Sequence, residues 1–547
     1  MKKLLILTSL MFLTLLLGCS IKTTESTTLL TTFTTTNTST STTESSFTET
    51  TTDLTTLTLT SDNTTTTQII SEPLQDIYLY SVNDFHGGAY LNFESFAKIS
   101  DEIRYMKTNY DNVIALANGD IFQGTAISNY YYGRPIVEAM NAVDFDGFVI
   151  GNHEFDWGIE KILEYNDEIE TNGEAEFSFL AANIVYKDTQ EPLEFTQPYL
   201  LYETNGVKIG VIGVIGNVIN SISVSRVENI QFLDPVTVIA DYANYLRSEK
   251  QADIIVVYAH SGSYFNYDIA NLTGNSRVDV VFNAHTHQSE IGTIEREGTD
   301  LIYAQASSNK YSLFVRIQLT YDLVNKVITF SQGKNYSDGE VYNYDSEVTN
   351  IFDTYKSNPI YLNFVNQVLT FSQGTYYRND LAPWGASVIR DYLGIDIGAV
   401  NSGGFRTEMN YGELTMGELI VIYPFDNFIK TSRLTGQQVI DFYKDIYYNG
   451  GDVVFDDGVS FDGTTVYLND IAINPTEYYT IGAVDYIFDK KEYDFIDGLD
   501  ITNTGVLIRD FLVQDLLNSN NSFSPYNGTN YTEPLNYFYQ EIFRLVI

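Results

Sequence analysis

Five short clusters of metal-ligating side chains recur between residues 84 and 287: Asp84-Phe85-His86, Gly119-Asp120, Gly151-Asn152-His153-Glu154, His260-Ser261-Gly262 and His285-Thr286-His287. The chain has only five histidines, His86, His153, His260, His285 and His287, and every one falls in a cluster. Histidines serving separate structural purposes would be scattered. These instead sit with Asp84, Asp120 and Asn152, so convergence on metal is the better account. Imidazole and carboxylate without thiolate suit Zn²⁺, Mn²⁺ or iron rather than a Cys-rich structural zinc site. A carboxylate between two ions can bridge them. Two metals about 3.5–4 Å apart can share a hydroxide near neutral pH and clamp the attacking and leaving oxygens of a displacement at phosphorus. The clusters predict phosphoester hydrolysis.

Such clusters must be carried by a scaffold that brings them together. From Ile77 onward, short apolar runs alternate with helical patterns, which is the α/β signature. The runs 77–82 (IYLYSV), 112–117 (NVIALA), 147–150 (GFVI), 253–259 (DIIVVYA) and 278–282 (VDVVF) each end directly before a polar cluster. Ligand sites of α/β sheets lie beyond the carboxyl ends of strands, so the five clusters are expected to converge on one place. A polar, helix-like stretch at 346–369 separates this region from a second one that mixes strands and helices and has no histidine.

Taken in order, D-x-H, G-D, G-N-H-E and H-x-H resemble the metallophosphoesterase superfamily. The fuller strings NDFHGG, ANGDIFQGT, GNHEFDWG and AHTHQ are similar to the exported bacterial 5′-nucleotidase family, which includes UDP-sugar hydrolases and 2′,3′-cyclic-nucleotide phosphodiesterases. The resemblance implies an α/β protein with an N-terminal four-layer β-sandwich flanked by helices, over 71–345. It implies a connecting helix and hinge at 346–370 and an α+β C-terminal nucleotide-binding domain over 371–547. Carried over by position, Asp84, His86, Asp120 and His287 would hold one divalent metal. Asp120, Asn152, His260 and His285 would hold a second, with Asp120 the bridge. His153 would act at the phosphate and be oriented by Asp156, with Glu154 supporting the site from behind. Ala284 stands where the family often has Gly, and Ser261 where it has a more apolar residue; both leave the ligands intact.

The second region holds VNSGGFRTEM (400–409) and a Pro-Phe-x-Asn turn at 424–427, which resemble the family's nucleotide-binding loops. The resemblance makes Arg378, Asn401, Gly403, Arg406, Phe425 and Tyr486 substrate-binding residues. Arg406 offers a fixed guanidinium fork for phosphate, and Phe425 and Tyr486 offer flat faces for a base. The family's Gly-Gly-Asp-Gly after the second aromatic is missing from AVDYIFDKKEYDF (483–495). Its acidic nucleoside contact falls to Glu492 or Asp494. The expected activity is release of phosphate from nucleoside 5′-monophosphates by metal-hydroxide attack on phosphorus. A 2′,3′-cyclic-nucleotide phosphodiesterase or UDP-sugar hydrolase on the same scaffold is the alternative, and a non-enzymatic surface adhesin a remote one.

Composition bounds the partners. A net charge of −41 argues against a nucleic-acid polymer or an anionic membrane surface, both of which need basic stripes. A small phosphate ester remains compatible, because bound metals invert the local field. The opening MKKLLILTSLMFLTLLLGCS reads as a secretory signal. Its Leu-Leu-Gly-Cys ending resembles a bacterial lipoprotein processing site, so residues 1–19 are expected to be a signal peptide ending at a lipidated Cys19. That cysteine is the only one in the chain, so no disulfide can brace the exported protein. Residues 20–70 are Thr/Ser-rich and cannot bury enough apolar surface to offset ordering, so a disordered tether to the membrane is expected.

Overall fold

The computed structural model describes residues 73–526, apart from 90–91, 168, 170–172 and 308–311, together with two short strands further upstream. The signal peptide, Cys19 and most of the Thr-rich segment lie outside the described residues. Within that segment, Thr58–Ser61 and Thr64–Thr67 pair antiparallel. All described residues belong to one compact unit, Thr56–Ile547.

The N-terminal half is built on two sheets. From one edge to the other, the seven-stranded sheet runs Val327–Tyr336, Phe314–Asp322, Leu74–Val82, Val113–Asn118, Gly147–Val149, Ser178–Leu180 and Thr196–Gln197. The six-stranded sheet runs Glu290–Ile294, Leu301–Gln305, Val280–Phe282, Ile254–His260, Val207–Ile215 and Tyr199–Thr204. Side-chain alternation along each strand explains the layering. Ile77 and Leu79 face inward and pack with Ile114, Leu116, Val211, Val256 and Val280 between the sheets. Tyr78, Tyr80, Ala115 and Ala117 face outward and are covered by helices Ser95–Asn109 and Arg134–Ala142 through Phe96, Ile103, Ile136 and Met140. On the opposite outer face, Ile239, Ala243 and Leu246 of helix Pro235–Ser248 cover Ile212, Val214, Ile255 and Val257. The result is a helix–sheet–sheet–helix sandwich. The first three apolar runs enter the seven-stranded sheet and the last two the six-stranded one. Their carboxyl ends meet along the seam where the sheets face each other.

The polar stretch after residue 345 forms two helices, Ser346–Lys356 and Pro359–Val365. Asp345 caps the first by accepting from the Glu347 and Val348 N–H groups at 3.0 Å, and it also takes a 2.5 Å bond from Arg104. The C-terminal half is a separate α+β layer. Its five-stranded mixed sheet has the order Val453–Phe455, Ile397–Asn401, Tyr478–Val484, Phe428–Thr435, Leu499–Leu507, and its core is shared with helices Arg378–Leu393, Met416–Ile422 and Ile508–Asn518.

Candidate metal centre and substrate cavity

The strand-end clusters converge. Asp84, Asp120 and Asn152 follow the three central strands of the seven-stranded sheet, His260 ends its strand in the other sheet, and His285 and His287 follow Val280–Phe282. Five residues of the clusters, Asp84, His86, Asp120, His285 and His287, have positive φ between 50° and 71°. Non-glycine residues rarely sit there, and such conformations gather at sites where the fold over-determines geometry for a functional purpose. Gly119 has φ 80°, and a Cβ on it would stand 2.3 Å from His260 Nδ1. The loop before Asp120 therefore needs glycine both for its turn and to admit the imidazole.

Ligand atoms group around two points. Asp84, His86 and His287 bring ligand atoms within 4.8 Å of one another, and so do Asp120, His260 and His285. In the first group His86 Nε2 and His287 Nε2 are 3.4 Å apart, and His287 Nε2 is 3.7 Å from Asp84 Oδ1. In the second, His260 Nε2 is 3.1 Å from both Asp120 Oδ2 and Asn152 Oδ1, and His285 Nδ1 is 2.9 Å from Asn152 Oδ1. Asp120 also groups with His86 and His153, which places it between the two sets. Imidazole nitrogens, carboxylates and one amide oxygen facing one another at these distances, with no thiolate, fit hard-to-borderline divalent ions.

Bonds behind the ligand atoms fix their direction. His86 Nδ1 lies 3.1 Å from Gln123 O and His260 Nδ1 lies 2.9 Å from Asn118 O, which leaves each Nε2 for the centre. Asp84 accepts from the His285 N–H at 2.9 Å, and Asp120 Oδ1 accepts from the His153 N–H at 2.8 Å. Glu154 is 1% exposed and is not among the grouped ligands. It braces two loops instead, accepting from the N–H groups of Asp120, Ile121 and Gly151 at 2.8–2.9 Å.

Charge crowding shifts the titrations. Burial pushes the Asp84 carboxyl up to about 7, with His260 opposing and Asp120 reinforcing it. Burial works against the charge on His260, yet Asp120 lifts that imidazole to about 10. Burial lowers His285 and His287 to about 4. His153 is also opposed by burial, but Asp156 and Asp120 raise it, Asp156 Oδ2 lying 2.7 Å from His153 Nδ1. So many perturbed groups in one cleft mark a functional site.

A cavity of about 340 Å³ opens over this centre and is lined from both halves of the molecule. Asp120, Asn152, His153, Asp156, His285 and His287 line it from the N-terminal half, and Asn401, Gly403, Arg406, Phe425 and Tyr486 from the C-terminal half. Phe425 stacks against the His153 imidazole with ring centres 5.8 Å apart, and the Arg406 guanidinium lies 5.8 Å from the Phe425 ring centre. Arg378 is not a lining residue; it is exposed, and its Nε donates to Phe405 O at 3.0 Å, behind the glycine loop. Glu492 and Asp494 do not line the cavity either; the acids of the C-terminal half that do are Asp426 and Asp452. Ser221, Ser223 and Arg226 from the N-terminal half also line it and were not anticipated, and Asn427 of the Pro-Phe-x-Asn turn lines it as well. Arg226 reaches the cavity because its Nη2 donates to Asp426 O at 2.9 Å, across the junction between the halves. For Asp452 a local signal exists, a Gly450-Gly451-Asp452 turn directly before a strand. For the serines and Arg226 only the packing of the halves gives their position.

Residues 79–289 match the calcineurin-like phosphoesterase family model, and residues 362–496 match the 5′-nucleotidase C-terminal domain. Over 391 residues the chain is 24% identical to an apyrase of Tabanus yao, covering 64% of this chain and 67% of that one. It is 20% identical to a 5′-nucleotidase of Vibrio parahaemolyticus over 414 residues, which are 66% of this chain and 72% of that one. Among solved structures, a 5′-nucleotidase precursor from Thermus thermophilus superposes with a TM-score of 0.64 at 18% identity, covering 82% of this chain and 97% of that one, which is a likeness of fold. Among the described residues no helix is long and apolar enough to cross a membrane. With a phosphoesterase sandwich and a 5′-nucleotidase C-terminal domain following one another along the chain, it belongs to the 5′-nucleotidase family of the metallophosphoesterase superfamily, as a metal-dependent phosphoric ester hydrolase.

Proposed function

We propose that this protein releases phosphate from nucleoside 5′-monophosphates outside the cell. The observation that carries the reading is that one cavity of about 340 Å³ is lined both by the ligand cluster and by Arg406, Phe425 and Tyr486. A phosphate held at the ligand cluster leaves the nucleoside for the aromatic faces of Phe425 and Tyr486. The volume lies at the small end of ligand sites, which suits a monophosphate. The name of the Vibrio relative, a 5′-nucleotidase, points the same way.

Asp84, His86, Asp120 and His287 would hold one divalent ion, and Asp120, Asn152, His260 and His285 a second, Zn, Mn or similar. When bound, such a pair supplies Lewis acidity at the phosphate oxygens and lowers the pKa of water. The chain's own residues do the rest. Asp156 fixes the His153 ring through Nδ1, so that Nε2 is the nitrogen left to meet charge or deliver a proton at the leaving ester oxygen. Arg406 positions the phosphate, and Phe425, packed on His153, keeps water from that side. The same reading has the protein exported and held at the cell surface by a lipid on Cys19, which the signal-like N-terminus supports.

The test is phosphate release from AMP by the full-length chain with Mn²⁺ or Zn²⁺, beside Asp120→Ala and His153→Ala. Activity that collapses in both variants supports the proposal. Turnover of UDP-glucose or 2′,3′-cyclic AMP with none of AMP overturns the substrate assignment, and silence on every ester by metal-loaded protein overturns the enzymatic one.

A further inference from the structure

One buried side chain ties the loop of the ligand cluster to the turn that carries Phe425. Asn129, on the short helix Ala126–Tyr130, is 9% exposed and does not line the cavity. Its Oδ1 accepts from the Gly124 N–H at 2.8 Å, and its Nδ2 donates to Pro424 O at 2.8 Å. Gly124 ends the loop that starts at Asp120 and wraps His86: the His86 N–H donates to Asp120 O at 3.0 Å, and His86 Nδ1 lies 3.1 Å from Gln123 O. Pro424 directly precedes Phe425 in the C-terminal half. Gly124 offers a donor and Pro424 an acceptor, so an amide satisfies both, a carboxylate only the first and an alkyl group neither. Pro424 O has a second donor within its own half. Arg509, buried on helix Ile508–Asn518, donates to it through Nη2 at 3.0 Å and pairs with Asp426 Oδ1 at 2.6 Å. The turn therefore keeps its shape without Asn129. What Asn129 adds is the tie to the Asp120 loop; Arg226 also crosses the junction, to Asp426 O, but from a segment that holds no ligand.

We propose that Asn129 is a positioning residue for the nucleotide: its amide sets the reach from the ligand cluster, which takes the phosphate, to the Phe425 face, which takes the base. A ligand that touches both places binds best when their separation is already fixed, because it does not have to order the turn itself. A ligand that touches only the cluster gains nothing from the tie. Asn129 therefore favours phosphate esters that carry a flat base over phosphate alone, although it contacts neither. This deepens the nucleotide reading and rests on it.

The test is calorimetric titration of the full-length, Mn²⁺-loaded protein with two ligands. One is the phosphonate analogue of AMP, in which a methylene replaces the ester oxygen so that no hydrolysis follows; the other is inorganic phosphate. Asn129→Asp keeps an acceptor for the Gly124 N–H and sets a carboxylate oxygen against the Pro424 carbonyl, so it breaks the junction bond alone. Asn129→Ala removes both bonds without adding a charge. The ratio of analogue affinity to phosphate affinity is expected to fall about five- to tenfold in each variant, the value of one buried hydrogen bond. With AMP as substrate the loss is expected in KM, with kcat held within about twofold. An asparagine that only holds up the fold would weaken both ligands alike. An unchanged ratio in both variants, a loss confined to kcat, or no binding of the analogue by the parent overturns the proposal. A ratio that falls in a protein unable to cleave AMP would sink the activity alone, and AMP hydrolysis with an unchanged ratio would sink the role of Asn129 alone.

Discussion

Glu154 Oε2 accepts a hydrogen bond from the main-chain nitrogen of Asp120 at 2.8 Å. The same carboxylate takes the Ile121 and Gly151 N–H groups, so one buried side chain fixes both the loop that carries Asp120 and the turn that carries Asn152. Glu154→Gln turns an amide nitrogen toward one set of donors and loosens both loops. Metal affinity is expected to fall about 10- to 100-fold, as for other groups that orient ligands. Mn²⁺ titration followed by the rise in melting temperature measures it. An unchanged affinity would show that the loops hold the ligands without Glu154.

Tyr486 joins the two halves of the molecule as well as facing the cavity, since its hydroxyl donates to Asn220 O at 3.2 Å. Tyr486→Phe removes that bond and keeps the ring. Tyr486→Ala removes both. KM for AMP is expected to rise about two- to fivefold in the first and at least tenfold in the second, because an aromatic face is worth about 1–3 kcal/mol to a stacked base. Equal effects of the two variants would mean that the hydroxyl, not the ring, matters.

Lipid attachment at Cys19 is checked without any structure. We propose that the parent chain partitions into the detergent phase of a cloud-point extraction of bacterial cells expressing it and that Cys19→Ser moves it to the aqueous phase or leaves it unprocessed. A parent found wholly in the aqueous phase would discard the anchor.

The metal cluster was legible because strand ends are local features. An apolar run followed by Asp-x-His or Gly-Asn-His states both the element and the residue at its end, and the parallel strands then bring the ends together. What the sequence hid was whatever depends on two distant segments meeting. Nothing local shows that the first three runs form one sheet and the last two another, or that Asp84, His86 and Asp120 adopt left-handed backbone. Arg226 lines the cavity only because it bonds to Asp426 O in the other half. Arg378 illustrates the converse: its position matched a pattern, but its guanidinium serves the Phe405 carbonyl outside the cavity.

Asp515 gives the fold a pH dependence of its own, far from the ligand cluster in sequence. Burial pushes its carboxyl up to about 6 from 3.8, although Trp384 Nε1 donates to Oδ2 at 2.8 Å. Between these values the native chain holds a proton that the unfolded chain has lost, so stability falls as pH rises through about 4 to 6 and stays low above. A shift of that size corresponds to at most about 3 kcal/mol. Asp515→Asn keeps an acceptor for the tryptophan and carries no charge. It is expected to raise the melting temperature by several degrees at pH 7.5 and to change it little at pH 4. Thermal melts of parent and variant at the two pH values decide the matter: a variant less stable than the parent at pH 7.5 would mean that the ionised carboxylate is held by compensating interactions and that its burial costs the fold nothing.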